Sequence, residues 1–453
     1  MKRSISKGMA AGLGVALAVT MAACGKTEPN NNSSGGSGDV DCSVYSQYGD
    51  LKGKSISIYT TFVDAEGATY EESFKGFEQC TGADIKYEGS KSLTTDVLGR
   101  IEAGAVADIV AFPQPGLLQQ AVATGKVLEA PAAVAKNVDT YWTTSWRDYG
   151  SVDGKLYASP LGASVKSLVW YSPQAFKDAG YAVPETWDDL LVLTDQITKD
   201  GDVKPWCVGI ADGDATGWVA TDWVEDMVLR SAGPAAYAQW VNHESPFNDP
   251  KIVESLEEMS KIVRNDAYVN AGIGNIQSIA ATPWTDGGTP LLDGQCFLHR
   301  QASFYGGNYA QESATVAEDG DVWAFYLPSA DPSIKPILGA GDFVAAFADR
   351  PEVVAFQTFL SSPDWANAKA KVTEGGWTTA NNGLDKANLR SAVDQLAFEL
   401  LSDPSAEFRF DGSDLMPAQV GSDAFWKQMT AYFAENKSEQ AVADAIEAAW
   451  PKS

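Results

Sequence analysis

The sequence predicts an α/β protein of two lobes joined by several chain crossings. Three observations lead there. Residues 54–124 run through strand and helix patterns three times in turn, which implies a parallel sheet with helices on both faces. Strand and helix patterns then recur out to residue 450 with no internal repeat. The chain has 453 residues, 45% of them hydrophobic and 21% charged, enough for a sizeable core and two or three domains.

The elements follow in order. Lys54–Thr61 alternates and is β-branched, a strand. Ala68–Cys80 places Tyr70, Phe74 and Phe77 at helical spacing, and Thr81 with Gly82 ends that helix. Ala83–Glu88 is a second strand. Leu93–Ala103 is a helix with Leu93, Val97, Leu98 and Ile101 on one face, stopped by Gly104. Ala107–Phe112 is a buried strand, and Leu117–Thr124 a helix closed by Gly125. Strands are expected at Val152–Tyr157 (after a turn), Ser167–Tyr171, Trp206–Ile210, Gln295–Leu298, Val322–Tyr326 and Gly341–Ala348. Thr186 and Asp189 form a capping box for a helix over 187–198. Further helices are expected at Thr221–Ser231, Ala235–Val241, Pro250–Asn265, Glu352–Leu360, Pro363–Thr373, Asn388–Ser402, Ser422–Asn436 and Glu439–Trp450.

The ends and the charge set the compartment. Lys2, Arg3 and Lys7 precede an apolar stretch, Met9–Met21, of signal-peptide length and too short to span a bilayer. Met21-Ala22-Ala23-Cys24 then resembles a bacterial lipobox, with Met21 where Leu is usual; residues 1–23 read as a leader and Cys24 as the lipidated mature N-terminus. Residues 24–41 are a polar, Gly/Ser/Asn-rich tether. Lys plus Arg number 33 against 60 acids, a formal charge of −27. Loss of three basic residues with the leader takes it to −30, a surface that repels nucleic acid. Two histidines, His243 and His299, are too few for a multi-histidine metal site, and no cofactor or metal is expected. No phosphate-binding G-x-x-x-x-G-K-[ST] occurs.

Several stretches resemble one family. Phe74, Phe77, Thr81 and Gly82, then Arg100-Ile101-Glu102-Ala103-Gly104 and Ala107-Asp108-Ile109, resemble the first helices and third strand of the solute-binding proteins of carbohydrate ABC importers. Val152–Tyr157, Pro184–Leu190 and Leu415-Met416-Pro417 with Phe425-Trp426 continue the resemblance in the same order. Cys207, Ala215–Trp218, Thr221–Trp223, Phe247–Pro250 and Asp411–Pro417 look most like the α-glucoside-binding branch. The resemblance spans roughly residues 50–450. It implies a periplasmic-binding-protein-like fold with a ligand cleft between two lobes: an N-lobe of 42–160 plus 323–375 and a C-lobe of 161–322 plus 376–450. Four cysteines remain once Cys24 is lipidated, and in an exported protein they suggest two disulfides with three possible connectivities. Cys42–Cys80 and Cys207–Cys296 are favoured, since each pair then falls within one lobe.

A sugar offers apolar C–H faces and a rim of hydroxyls, so its site needs aromatic platforms and paired polar groups. Ligands of open α/β sheets sit beyond the carboxyl ends of strands, which selects Asp64 and Glu66 after the first strand and Gln114 after the third. Asp214 and Trp218 lie in a Gly-rich loop; Asp212 and Asp214 serve equally as turn-formers. Trp284 and Trp377 lie in loops without periodicity, against the alternative of core packing. By resemblance, Trp426 takes a stacking position and Phe304 stands where a second stacking Trp falls, with Arg300 and Gln301 nearby. Asp342 reads as a sugar contact or a turn cap, and Lys166 as a hydroxyl donor or a buried charge at a crossing. Pro115 and Val165 stand where relatives carry acidic sugar contacts, so maltose itself is not implied.

The expected function is capture of an oligosaccharide, an α-glucoside by resemblance, by a lipid-anchored monomer on the outer face of the cell membrane, and its delivery to an ABC permease. The expectation is a binding protein and not an enzyme. The competing readings are a lipid-anchored glycoside hydrolase, a structural surface lipoprotein, and a receptor for a non-sugar solute. No nucleophile elbow accompanies either histidine.

Overall fold

A computed structural model describes residues 40–201 and 203–452. The expected leader, Cys24 and nearly all of the tether lie outside the described residues. Strands appear in the order β1 (Ser55–Thr60), β2 (Asp84–Gly89), β3 (Ile109–Phe112), β4 (Ser151–Val152), β5 (Lys155–Leu156), β6 (Ala158–Val165), β7 (Leu168–Tyr171), β8 (Lys204–Cys207), β9 (Val269–Asn270), β10 (Cys296–Arg300), β11 (Trp323–Tyr326), β12 (Pro336–Ala346) and β13 (Glu407–Phe410). They make two main sheets and the small β4–β5 hairpin. The first sheet has the order β13-β12-β3-β1-β2, with β6 also paired to β12; the second is β11-β7-β10-β8-β9.

The opening β-α-β-α-β is as the periodicity predicts. β1 pairs in parallel with both β2 and β3. The connecting helices, Asp64–Thr81 and Leu93–Ala103, bury Tyr70, Phe74 and Phe77 and Leu93, Val97 and Ile101. The Thr186–Asp189 capping box forms, with Thr186 accepting from the Asp189 N–H and Asp189 accepting in return. Each satisfies a donor that the helix start leaves unpaired.

Three crossings join the sheets. β6 ends at Val165 and β7 begins at Leu168, so Lys166 and Ser167 form the first. The chain returns between β11 and β12, and leaves again after β13 into the helices Trp426–Ala434 and Glu439–Glu447. Glu439–Glu447 packs on Pro250–Val263, and Trp426–Ala434 on Glu439–Glu447 and the helix Trp218–Ser231. Two placements differ from the lobe boundaries expected above. Trp323–Tyr326 pairs with β7 in the second sheet, so the return crossing lies after residue 326. Leu161–Val165 and Glu407–Phe410 belong to the first sheet through β12. The sequence shows neither segment as a strand: β6 (ASPLGASV) is broken by Gly and Pro, which strands disfavour, and β13 is four residues long; of β12 the expected strand from Gly341 is present, and it begins five residues earlier, at Pro336.

Both favoured disulfides form. Cys42–Cys80 ties the start of the folded body to the first helix, with Cα atoms 5.3 Å apart. Cys207–Cys296 joins the neighbouring strands β8 and β10 at 5.7 Å.

A tryptophan-lined cleft as the candidate binding site

A cavity of about 810 Å³ opens where β6 and β12 meet the Trp218–Ser231 helix and the loops beside it. That is within the range of small-ligand sites. On the second-lobe side, Trp218 is the first residue of its helix, preceded by Gly217 at φ +116°. A Cβ at Gly217 would lie 2.3 Å from the Trp426 carbonyl oxygen, so glycine lets the two segments touch and brings Trp218 and Trp426 to one wall. Trp218 meets Trp284 edge-on at 5.4 Å between ring centroids, and Phe304 lies 6.1 Å from Trp218 and 5.9 Å from Trp284. The Trp218 indole N–H donates to Asp212 at 2.9 Å, which fixes the ring plane.

The first-lobe side combines carboxyl, ammonium and hydroxyl groups with two further rings, Tyr70 and Trp377. Glu66, Thr69 and Tyr70 come from the first turns of the helix Asp64–Thr81, Asp342 from β12, Lys369 and Thr373 from the region of helix Pro363–Val372, and Trp377 from the loop beyond it. The Lys369 ammonium donates to Thr69 at 2.7 Å and Thr373 at 2.8 Å and lies over the rings of Tyr70 and Trp377. Burial pulls its pKa down to about 7, opposed by Glu66 and Asp394. Burial raises the Asp342 carboxyl well above its usual value, and Glu66 raises it further.

At the crossings, Lys166 is buried between Asp222, at 2.8 Å, and Asp411. Burial opposes its charge, yet the two carboxylates hold its pKa well above the usual value. Asp226 takes Arg230, Arg300 and the Ser167 hydroxyl. Glu225 accepts the N–H groups of Gly412 and Ser413 at 2.9 and 3.1 Å. These bonds stitch the first and third crossings to one buried helix, so each buried charge has a partner. Asp222, Glu225 and Asp411 come close enough to hold a cation, and the Lys166 ammonium already supplies one. Of the two readings of Lys166, the buried crossing charge accounts for its bonds, although it also borders the cleft.

Besides Lys166, seven residues expected to contact a ligand line this one cavity: Glu66, Trp218, Trp284, Phe304, Asp342, Trp377 and Trp426. Three do not. Asp64 is exposed at the helix start. Gln114 is buried one layer behind the wall, donating to Asp414 at 2.9 Å and Ser422 at 3.0 Å. Asp214 is exposed in a 3-10 turn, and its neighbour Asp212 is the one that reaches Trp218. Arg300 and Gln301 are fully buried away from the cleft. His299 is a core histidine, bonded to the Cys207 carbonyl, with burial pushing its pKa down to about 4. Tyr70, Lys369 and Asp414 line the cavity without having been singled out. Tyr70 has the spacing of a core helix face, and Lys369 and Asp414 carry no sequence signal that separates them from a solvated charge.

The profile of the family described as "Bacterial extracellular solute-binding protein" matches residues 63–289. The α-glucosides-binding periplasmic protein AglE of Rhizobium meliloti is 36% identical over 88% of this chain and 88% of its own. This chain belongs to the bacterial extracellular solute-binding proteins. The osmoprotective compounds-binding protein GgtB of Synechocystis sp. is 34% identical over 89% of this chain and 94% of its own. Among solved structures, the bacterial solute receptor AcbH, described with a preference for β-D-galactopyranose, aligns at TM-score 0.72 and 17% identity over 87% of this chain and 98% of that one. Maltose-bound MalE3 of T. maritima aligns at 0.66 and 16% over 87% and 98%. These two likenesses speak for the fold: two α/β lobes about a ligand cleft. The family and its neighbours are binding proteins, and extracytoplasmic residence goes with membership.

Proposed function

We propose that this protein is a lipid-anchored, monomeric receptor that captures an oligosaccharide, an α-glucoside by preference, and delivers it to the permease of an ABC importer. The observation that carries the reading is the lining of the cleft: Trp218, Trp284, Phe304 and Trp426 on one side, and Glu66, Asp342 and Lys369 beside Tyr70 and Trp377 on the other. Aromatic faces take the C–H faces of a pyranose, and carboxyl and ammonium groups take its hydroxyls. A ligand that touches both sides favours the closed arrangement, because only that arrangement makes both sets of contacts. Similarity to AglE supports the α-glucoside preference.

Similarity to GgtB favours a second reading, a smaller osmoprotective solute in the same cleft. A thermal-shift screen separates the readings, since a ligand that binds the native state raises the melting temperature by mass action. The proposal expects a shift with α-linked glucosides and no monosaccharide product afterwards. A shift confined to non-sugar osmolytes supports the second reading. Release of monosaccharide defeats both and indicates a hydrolase.

A further inference from the structure

β6 and β12 run antiparallel, but their register breaks beside the cleft. Gly341 pairs with Ala163 and Phe343 with Pro160, so the two residues Leu161 and Gly162 oppose the single residue Asp342. Such a bulge re-aims a side chain. Here the Asp342 side chain lines the cavity, where strict alternation would have left its direction to the sheet register. The loop after Trp377 clamps the bulge: the Ala163 N–H donates to the Thr378 carbonyl at 2.9 Å, and the Thr379 hydroxyl donates to the Leu161 carbonyl at 2.9 Å. Three polar atoms converge as a result. Trp377 Nε1, Asp342 Oδ2 and the Tyr70 hydroxyl lie 3.1, 3.5 and 3.6 Å from the point where a Cβ on Gly162 would stand.

These atoms are short of partners. The Trp377 side chain is buried, yet its indole N–H makes no hydrogen bond. The Tyr70 hydroxyl and the indole nitrogen converge on Gly162 without a well-aligned hydrogen bond between them. Asp342 pairs with no cation among the described residues, and its one charged neighbour of note is another acid, Glu66. A buried donor without an acceptor is costly, so the free protein holds unspent bonding capacity at this spot. The surroundings are held firmly. Asp394 accepts the N–H groups of Gly376 and Trp377 at 2.9 and 3.4 Å, and Lys369 lies 4.3 Å from the Tyr70 ring and 5.3 Å from that of Trp377.

We propose that Asp342, Tyr70 and the Trp377 indole N–H, gathered over the bare face of Gly162, form a specificity subsite for a free hydroxyl pair on one sugar unit of the ligand. The inference rests on the oligosaccharide reading above. A hydroxyl both donates and accepts; the indole N–H can only donate, and the carboxyl and phenol complete the set. A sugar whose hydroxyls are substituted or missing at this point leaves the indole N–H unpaired and loses its place. Lys369 and Asp394 are positioning residues, holding the rings and the loop.

Calorimetry on the full chain tests it, with maltose, sucrose and trehalose as first probes and then monodeoxy analogues of whichever binds. W377F removes the indole N–H but also trims the bicyclic ring to a single phenyl, so the deoxy analogue is the control that isolates the N–H from the lost volume. The expected result is a folded protein with a somewhat lower unliganded melting temperature, from the space the smaller ring leaves beside Trp365, together with about ten-fold weaker binding, the worth of roughly one hydrogen bond. D342N is expected to weaken the same sugar, and one deoxy analogue to bind wild type and W377F alike. Equal affinity of wild type, W377F and D342N for a sugar that does bind overturns the subsite and leaves the sugar reading intact. If none of these sugars or other glycosides binds wild type, the sugar reading has failed and the subsite falls with it.

Discussion

At the scale of single residues, the cleft depends on charges that water does not reach. Asp394 is 2% exposed, and burial pushes its carboxyl up to about 7 against the help of the Gly376 and Trp377 N–H groups. In the unfolded chain the same group ionises near pH 4. Between about pH 4 and 7 the folded state therefore holds a proton that the unfolded state has released, and stability falls as pH rises through that window. The stabilisation is complete only below it. D394N keeps a carbonyl acceptor for the Gly376 N–H and has no proton to lose. Its melting temperature should decline less than that of wild type from pH 4 to 7; parallel melting curves across that range would refute the assignment. Legibility at this scale followed periodicity. Trp284 and Trp377 stood out because no helix or strand pattern explained them, and both line the cleft. Lys369 and Tyr70 were hidden because each sits on a helix where a surface or core role accounts for it equally well. Asp64, Gln114 and Asp214 have the right chemistry in the right loops, but side-chain direction is a tertiary property. Gln114 turns to Asp414 and Ser422, and the other two turn to solvent.

At the scale of elements, local pattern served where strand and helix have clean periods. The parallel β1–β3 unit, the capping box and the helix Pro250–Val263 were all readable. It failed at β6, β13 and the first half of β12, whose pairing comes from partners far along the chain and whose glycines and bulge belong to the cleft wall. The disulfide between β8 and β10 is an element-level constraint, closing a separation of 89 residues. By loop-closure entropy a link of that span contributes about 4–5 kcal/mol, with native-state strain able to reduce it. The double variant C207A/C296A should melt well below wild type and lose nothing further when reductant is added, provided Cys42–Cys80 is removed in both arms of the comparison. An unchanged melting temperature would show that the second sheet does not need the link.

At the scale of the whole molecule, function lies in the relation between two sheets that share three chain crossings. Lys166 on the first crossing binds both Asp411 on the third and Asp222 of the buried helix, so the crossings share a common buried anchor. The aromatic wall belongs largely to one side of that anchor and the carboxyl-rich wall to the other. Family membership shows a solute-binding protein, and the composition of the cleft is what supports the proposed carbohydrate ligand. The most direct measurement is a calorimetric titration of the protein with α- and β-linked gluco-disaccharides at several temperatures. The account predicts saturable one-to-one binding of an α-linked sugar, with a negative heat-capacity change from apolar surface buried on the tryptophans. A folded protein that gives no binding heat with any glycoside at any of those temperatures would contradict it.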